Sequence, residues 1–138
     1  MKRELSIFVL AALLLSASAQ SQDDKSDVKV IGLEADLDLR SDQVVTLTDE
    51  ALRGSGEAGL RLALYYANVK LDLSKSEYWT HISAENGNAV AQYNEWVELS
   101  QSEKADDRKR ALFWLRKSAA QGNGTAQREL KDIADSGT

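Results

Sequence analysis

The sequence predicts an all-α fold of antiparallel helix-turn-helix repeats, an α/α solenoid of about five to seven helices. Three observations carry that expectation. Residues 84–92, Ala-Glu-Asn-Gly-Asn-Ala-Val-Ala-Gln, return 35 positions later as Ala-Ala-Gln-Gly-Asn-Gly-Thr-Ala-Gln over 119–127. A fixed period of that size marks units that bury their apolar faces only by stacking on one another. The element Ala-x-x-Gly occurs three times, at Ala51 to Gly54, Ala84 to Gly87 and Ala119 to Gly122, each time after a helical stripe. Finally, the chain has no proline, and its helix breakers fall at regular intervals.

Taken in order, the chain opens with Lys2 and Arg3, an apolar run from Ile7 to Leu15 and the small-residue site Ala17-Ser18-Ala19. This reads as a cleavable secretory signal over 1–19, its apolar run being shorter than the roughly 20 residues a bilayer span needs. No cysteine follows, which excludes a lipid-anchored form and leaves an exported chain without disulfides. Removing residues 1–19, which hold two cations and one anion, takes the net charge from −5 to −6. That balance argues against nucleic acid and anionic membrane surfaces and favours encounter with a basic partner.

Residues 20–40 form an N-terminal lead-in. Gln20 to Asp27 is polar throughout, and Val28 to Leu39 fits two patterns: strand alternation at Leu33, Ala35, Leu37 and Leu39, and a helical stripe at Val30, Leu33 and Leu37. The repeat domain is expected over 41–135. Its first helix is capped by Ser41 or Asp42, carries Val44, Val45, Leu47, Ala51 and Leu52, and stops at Gly54. A second runs from about Ser55 to Asn68 with Leu60, Leu64, Tyr65 and Tyr66. Asp72 or Ser74 starts a third through Tyr78, Trp79, Ile82 and Ala84. The fourth begins at Asn88 and holds Tyr93, Trp96, Val97 and Leu99. The fifth spans Ala105 to Ala120, and the sixth begins at Asn123 with Ala126, Leu130 and Ile133. Connections this short force neighbouring helices to run antiparallel.

The recurring residues have packing reasons. A residue just past a helix end often takes left-handed dihedrals, which glycine adopts without strain, and the following Ser55, Asn88 or Asn123 can cap the next helix. Trp79 and Trp114 each sit eight residues before such a glycine, with the small residues Ser76 and Ala111 three positions earlier. Asp72 and Asp107 each fall seven residues before the tryptophan, where a carboxylate can cap a helix or favour its N-terminal end.

These segments, Leu62-Ala63-Leu64-Tyr65-Tyr66, Val69-Lys70-Leu71-Asp72, Ser76-Glu77-Tyr78-Trp79 and Ala84-Glu85-Asn86-Gly87-Asn88, resemble the Sel1-like repeat, a relative of the tetratricopeptide repeat. The second unit matches through Asp107, Ala111-Leu112-Phe113-Trp114 and residues 119–126. The resemblance covers roughly residues 48–130 and implies paired antiparallel helices that hold a partner protein, an adaptor or regulator role rather than catalysis. The chain departs from the family pattern in three places: the loop glycines are missing, Ala63 replaces the close-packing glycine of the first helix, and Glu95-Trp96 replaces Leu-Gly in the second unit. Trp96 cannot fit where hydrogen alone fits, so the second helix pair splays, Trp96 turns outward, or the core absorbs it.

Catalytic and cofactor signals are weak. Gly54-Ser55-Gly56-Glu57-Ala58-Gly59 spells the dinucleotide fingerprint but lies between two expected helices, without the strand that motif needs. The one histidine, His81, has no cysteine or paired serine at usable spacing and reads as a solvated or core-edge residue. Asp36, Asp38 and Asp42 lack the glycine and closing glutamate of a calcium loop. Asn123-Gly124-Thr125 matches a glycosylation acceptor, which its place in the repeat already explains, and Arg108-Lys109-Arg110 with Arg116-Lys117 reads as a solvated face with local ion pairs. No cofactor or metal is expected.

The expected function is therefore that of a non-enzymatic, exported, periplasmic or secreted protein-binding module. Two repeats suit one compact protein partner, or a homodimer, and an inhibitor or immunity-type role against an envelope-acting enzyme ranks first. An envelope scaffold or virulence-type adaptor is the alternative within the class, and a cell-wall or β-lactam hydrolase the alternative outside it. The partner-binding candidates are Arg61, Tyr65, Asn68, Asn94, Glu95, Trp96 and Glu98, taken as exposed positions of the first helix of each pair.

Overall fold

The computed structural model describes residues 37–136. The expected signal segment, the ambiguous stretch up to residue 36 and the last two residues lie outside the described residues. Six helices follow one another, α1 (Ser41–Leu52), α2 (Gly56–Asn68), α3 (Leu73–Glu85), α4 (Ala89–Ser100), α5 (Ala105–Ala120) and α6 (Gly124–Ser136), with no strand among the described residues. The connections at 53–55, 86–88 and 121–123 have three residues, and those at 69–72 and 101–104 have four.

The three-residue connections are copies of one device. Gly54, Gly87 and Gly122 take φ of 107°, 91° and 87° and donate their N–H groups to Ala51, Ala84 and Ala119 at 3.0, 3.1 and 3.0 Å. The next residue then caps the following helix: Ser55 Oγ accepts from Ala58, Asn88 Oδ1 from Ala91, and Asn123 Oδ1 from Ala126. A left-handed residue closes one helix while a short polar side chain satisfies the orphan N–H groups of the next. A second copied bond locks neighbours together. Ser83 Oγ donates to the Gly56 carbonyl and Ser118 Oγ to the Ala89 carbonyl, both at 2.6 Å.

One helix start differs from expectation, and a second uses its aspartate differently from its counterpart. Neither Ser41 nor Asp42 caps α1; Arg40 holds the cap position, its backbone N–H donating to Gln43 Oε1 at 2.9 Å and its guanidinium pairing with Asp42 at 3.1 Å. Asp72 caps α3 through Lys75 N–H, but its counterpart Asp107 lies inside α5, which begins at Ala105. Asp107 instead accepts from Ser102 Oγ at 2.6 Å and so ties the preceding loop to the helix.

The most extensive contacts join α2 to α3 and α4 to α5, as expected for two helix pairs. One core cluster gathers Leu39, Leu47, Ala51, Ala58, Leu62, Ala63, Tyr65 and Trp79, so the packed domain takes in Leu39 from the expected lead-in. Another gathers Ala84, Ala91 and Trp114, with Leu60, Trp96 and Leu99 against them. Leu60 of α2 packs against this cluster, whose members come from α3, α4 and α5, so the first pair contributes to the core of the second.

Candidate functional site

The glycines that imitate a nucleotide fingerprint have packing reasons. Gly54 makes the left-handed turn. A Cβ on Gly56 would lie 3.0 Å from Asn88, and one on Gly59 would lie 3.0 Å from Ser83 Cα and Cβ. The spacing reflects close approach of α2 to α3 and to the turn after it, and no phosphate loop is formed.

At one end of the stack the helices leave an open groove of about 520 Å³. Ser41 and Val44 of α1, Tyr65 and Tyr66 in the last turns of α2, Lys70 and Asp72 of the next connection, and Lys75 of α3 line it. The two tyrosine rings meet edge-on at 5.2 Å. Lys70 Nζ lies 5.5 Å from the Tyr65 centroid and Lys75 Nζ 5.2 Å from that of Tyr66, within cation–π range. Lys75 also pairs with Asp72 at 3.2 Å, and the Lys75 backbone N–H holds the Asp72 carboxyl below its ordinary range.

The connection over this groove is unusual. Lys70 N–H returns to the Tyr65 carbonyl and Asp72 N–H to that of Tyr66, which folds the loop back onto α2. Without the glycine that such a bend favours, Leu71 takes φ 53° with 76% of its surface exposed. Left-handed backbone costs a non-glycine residue about 1–2 kcal/mol. Val69 and Leu73 on either side are exposed as well, so an apolar tip stands beside a groove of tyrosine and lysine.

A second cluster lies where α3 meets α4. Glu95 is only 6% exposed, and its Oε2 lies 3.4 Å from His81 Nδ1, while His81 Nε2 lies 3.1 Å from Glu85. The Trp114 ring stands edge-on to His81 at 6.5 Å. Burial pushes the Glu95 carboxyl up, against the opposing effect of His81. The Glu98 carboxyl is raised by desolvation first, then by Glu77 and Glu95.

The seven sequence candidates therefore divide. Tyr65 is 6% exposed and belongs to the first core cluster, though its ring also lines the groove. Glu95 is buried too, so neither is the exposed position the sequence suggested; both point along the packed side of their helices. Trp96 does not turn outward: it is half-buried at the edge of the second cluster, with its ring 5.2 Å from Tyr93. Asn68 is exposed but spends its amide on the Leu64 carbonyl at 2.9 Å. Arg61 and Asn94 are half-buried, and Glu98 is exposed. Sequence reasoning missed Tyr66, Lys70, Leu71 and Lys75. The missing loop glycine was the signal for Leu71, since the same bend then falls on a bulky residue.

Among the described residues no group of three or more histidine, cysteine or acidic side chains converges to hold a metal ion. No described helix is long and apolar enough to cross a membrane. Asn123 is occupied in capping α6, and Lys109 pairs with Asp106 at 3.1 Å, while Arg110 lies 4.1 Å from the Phe113 centroid.

Fold and groove together define a protein of helical-repeat architecture. Over 100 residues, 70% of its length, the chain is 29% identical to the uncharacterized protein YibG of Escherichia coli (strain K12). That alignment spans 65% of the relative, less than two thirds of its length. No protein-family model matches the chain, and no solved structure matches it.

Proposed function

We propose that the chain is an exported, non-enzymatic protein-binding module of the Sel1-like kind, and within that class an inhibitor or immunity-type protein that blocks an envelope-acting enzyme. The observation that carries the reading is Leu71, held in left-handed backbone with its side chain in water beside the tyrosine–lysine groove. The conformation and the exposed leucine each cost free energy that folding does not recover, and apolar tips beside polar grooves mark docking sites. A partner segment covering Val69, Leu71 and Leu73 would bury the leucines, while Lys70 and Lys75 suit a carboxylate or carbonyl on that segment. The net charge, −5 for the whole chain and −6 without residues 1–19, favours a partner that is basic as a whole, through faster encounter.

Affinity capture from an envelope extract with the wild-type chain and with Lys70→Glu tests this reading. The expected result is one compact protein retained by the wild type and lost by the variant, whose hydrolytic activity falls as purified chain is added up to equal amounts. Capture undiminished by Lys70→Glu contradicts the groove. Activity unchanged by the chain assigns the protein to envelope scaffolds instead, and hydrolysis of peptidoglycan or a β-lactam by the purified chain overturns the non-enzymatic reading.

A further inference from the structure

Glu95 stands in the repeat where Leu62 stands in the preceding unit: each lies seven residues after the cap of its helix, Asn88 and Ser55 respectively. Leu62 is wholly buried and Glu95 nearly so. A carboxylate thus occupies a leucine slot, and it faces across the junction of two successive units to the imidazole of His81 at 3.4 Å. Around it, α3 contributes Glu77, His81 and Glu85, α4 contributes Glu98, and α5 contributes Arg110. Glu85, Glu95 and Glu98 therefore share one imidazole, with Arg110 acting on Glu95 and Glu77 on Glu98.

We propose that His81 and Glu95 form an acid-strengthened latch across α3 and α4, the junction between the two repeats. A neutral imidazole carries one N–H and its protonated form two, so only the protonated form can donate to both Glu85 and Glu95, each contact then being an ion pair. Burial raises the Glu95 and Glu98 carboxyls, so both take up protons more readily in the folded chain. Either proton reduces the uncompensated negative charge of the cluster. Because these carboxyl values are raised by folding, the folded state binds protons more tightly than the unfolded chain. Their stabilising effect is present below the ordinary glutamate range and is lost as the pH rises through the raised values. The carboxyls displaced the other way, Asp42 and Asp72, act below the ordinary aspartate value of 3.8, outside the range from pH 5 to pH 8. Holding the two units tighter in acid would fix the relation of the groove-bearing pair to the second pair.

Urea unfolding of the full chain at pH 5, 6, 7 and 8 tests the latch, with Glu95→Leu, Glu95→Gln, His81→Gln and the double variant Glu95→Gln/His81→Gln. The wild-type midpoint is expected to rise as the pH falls from 8 to 5. Glu95→Leu, which restores the residue of the first unit, should unfold at higher urea than wild type at pH 8 and show a flatter pH profile. Glu95→Gln gives the same flattening should the leucine variant fail to fold. The double variant should be no flatter than the flatter of its two singles, since coupled groups do not add. A wild-type midpoint independent of pH, a full wild-type slope in both Glu95 variants, or additive effects of the two changes would overturn the proposal.

Discussion

Gln121 donates its side-chain amide to Gln92 Oε1 at 2.6 Å, and Gln92 passes its own amide on to the Ala84 carbonyl at 3.1 Å. One repeat earlier the relay has a single step. Asn86, the counterpart of Gln121, reaches the Ala51 carbonyl directly at 2.7 Å, because Gly59 stands where Gln92 stands in the next unit. The same carbonyl of the Ala-x-x-Gly element is thus satisfied in both units by different side chains. Gln127 repeats the Gln92 bond, to Ala119 at 3.1 Å.

Removing the relay deletes two side-chain hydrogen bonds. Gln92→Ala should destabilise the domain by about 1 kcal/mol, because the bonds to the Ala84 carbonyl and from the Gln121 amide are lost while Ala84 keeps the bond from Gly87 N–H. Urea unfolding at fixed pH checks this, and a wild-type midpoint would show that water replaces both bonds without loss.

Gly59 has the opposite requirement. A Cβ there would press to 3.0 Å on the backbone of Ser83, which cannot swing aside as a flexible side chain can. Gly59→Ala should therefore cost about 1–3 kcal/mol by overpacking, despite alanine being the better helix former. A stabilised variant in thermal unfolding would contradict the close packing of α2 on α3.

Trp79 and Trp114, at the same place in each unit, are buried in different core clusters. Their replacement by alanine should cost about 3–5 kcal/mol each. Because they sit in separate clusters, the double variant should lose close to the sum, within about 0.5 kcal/mol. Wild-type-like midpoints of the single variants would refute the repeat register.

Much of the fold was legible because helix ends are written in local chemistry. Asp72, Asn88 and Asn123 cap where their short polar side chains predict, and the three glycines close helices through left-handed backbone. The cap of α1 was misread because Arg40 holds that position without a side-chain cap bond, its own backbone N–H donating to Gln43 Oε1. Asp107 differs from Asp72 in lying in the first turn of α5, which begins at Ala105 as its sequence predicts, and accepts from Ser102 instead of capping. The site was less legible, since burial depends on which side of a helix the neighbours cover. Tyr65 was read as an exposed anchor and is largely enclosed, while Lys70 and Lys75 enter the groove from a loop and a neighbouring helix that have no periodic signature. His81 pairs with Glu85 one turn along α3 and also with Glu95, which lies across a turn, 14 residues on, and so beyond local spacing. Aligning Glu95 with Leu62 was the clue that a carboxylate had entered the core.

The claim that the α2–α3 tip is a recognition surface separates from a purely structural role at Leu71 itself. Leu71→Gly relieves left-handed backbone but deletes the exposed apolar side chain, so stability should stay within about 1 kcal/mol of wild type or rise. Thermal unfolding and partner capture, measured together on this one variant, give the most direct test. The prediction is a melting temperature equal to or above that of the wild type with capture strongly reduced. Capture at the wild-type level by an equally stable Leu71→Gly chain would contradict it.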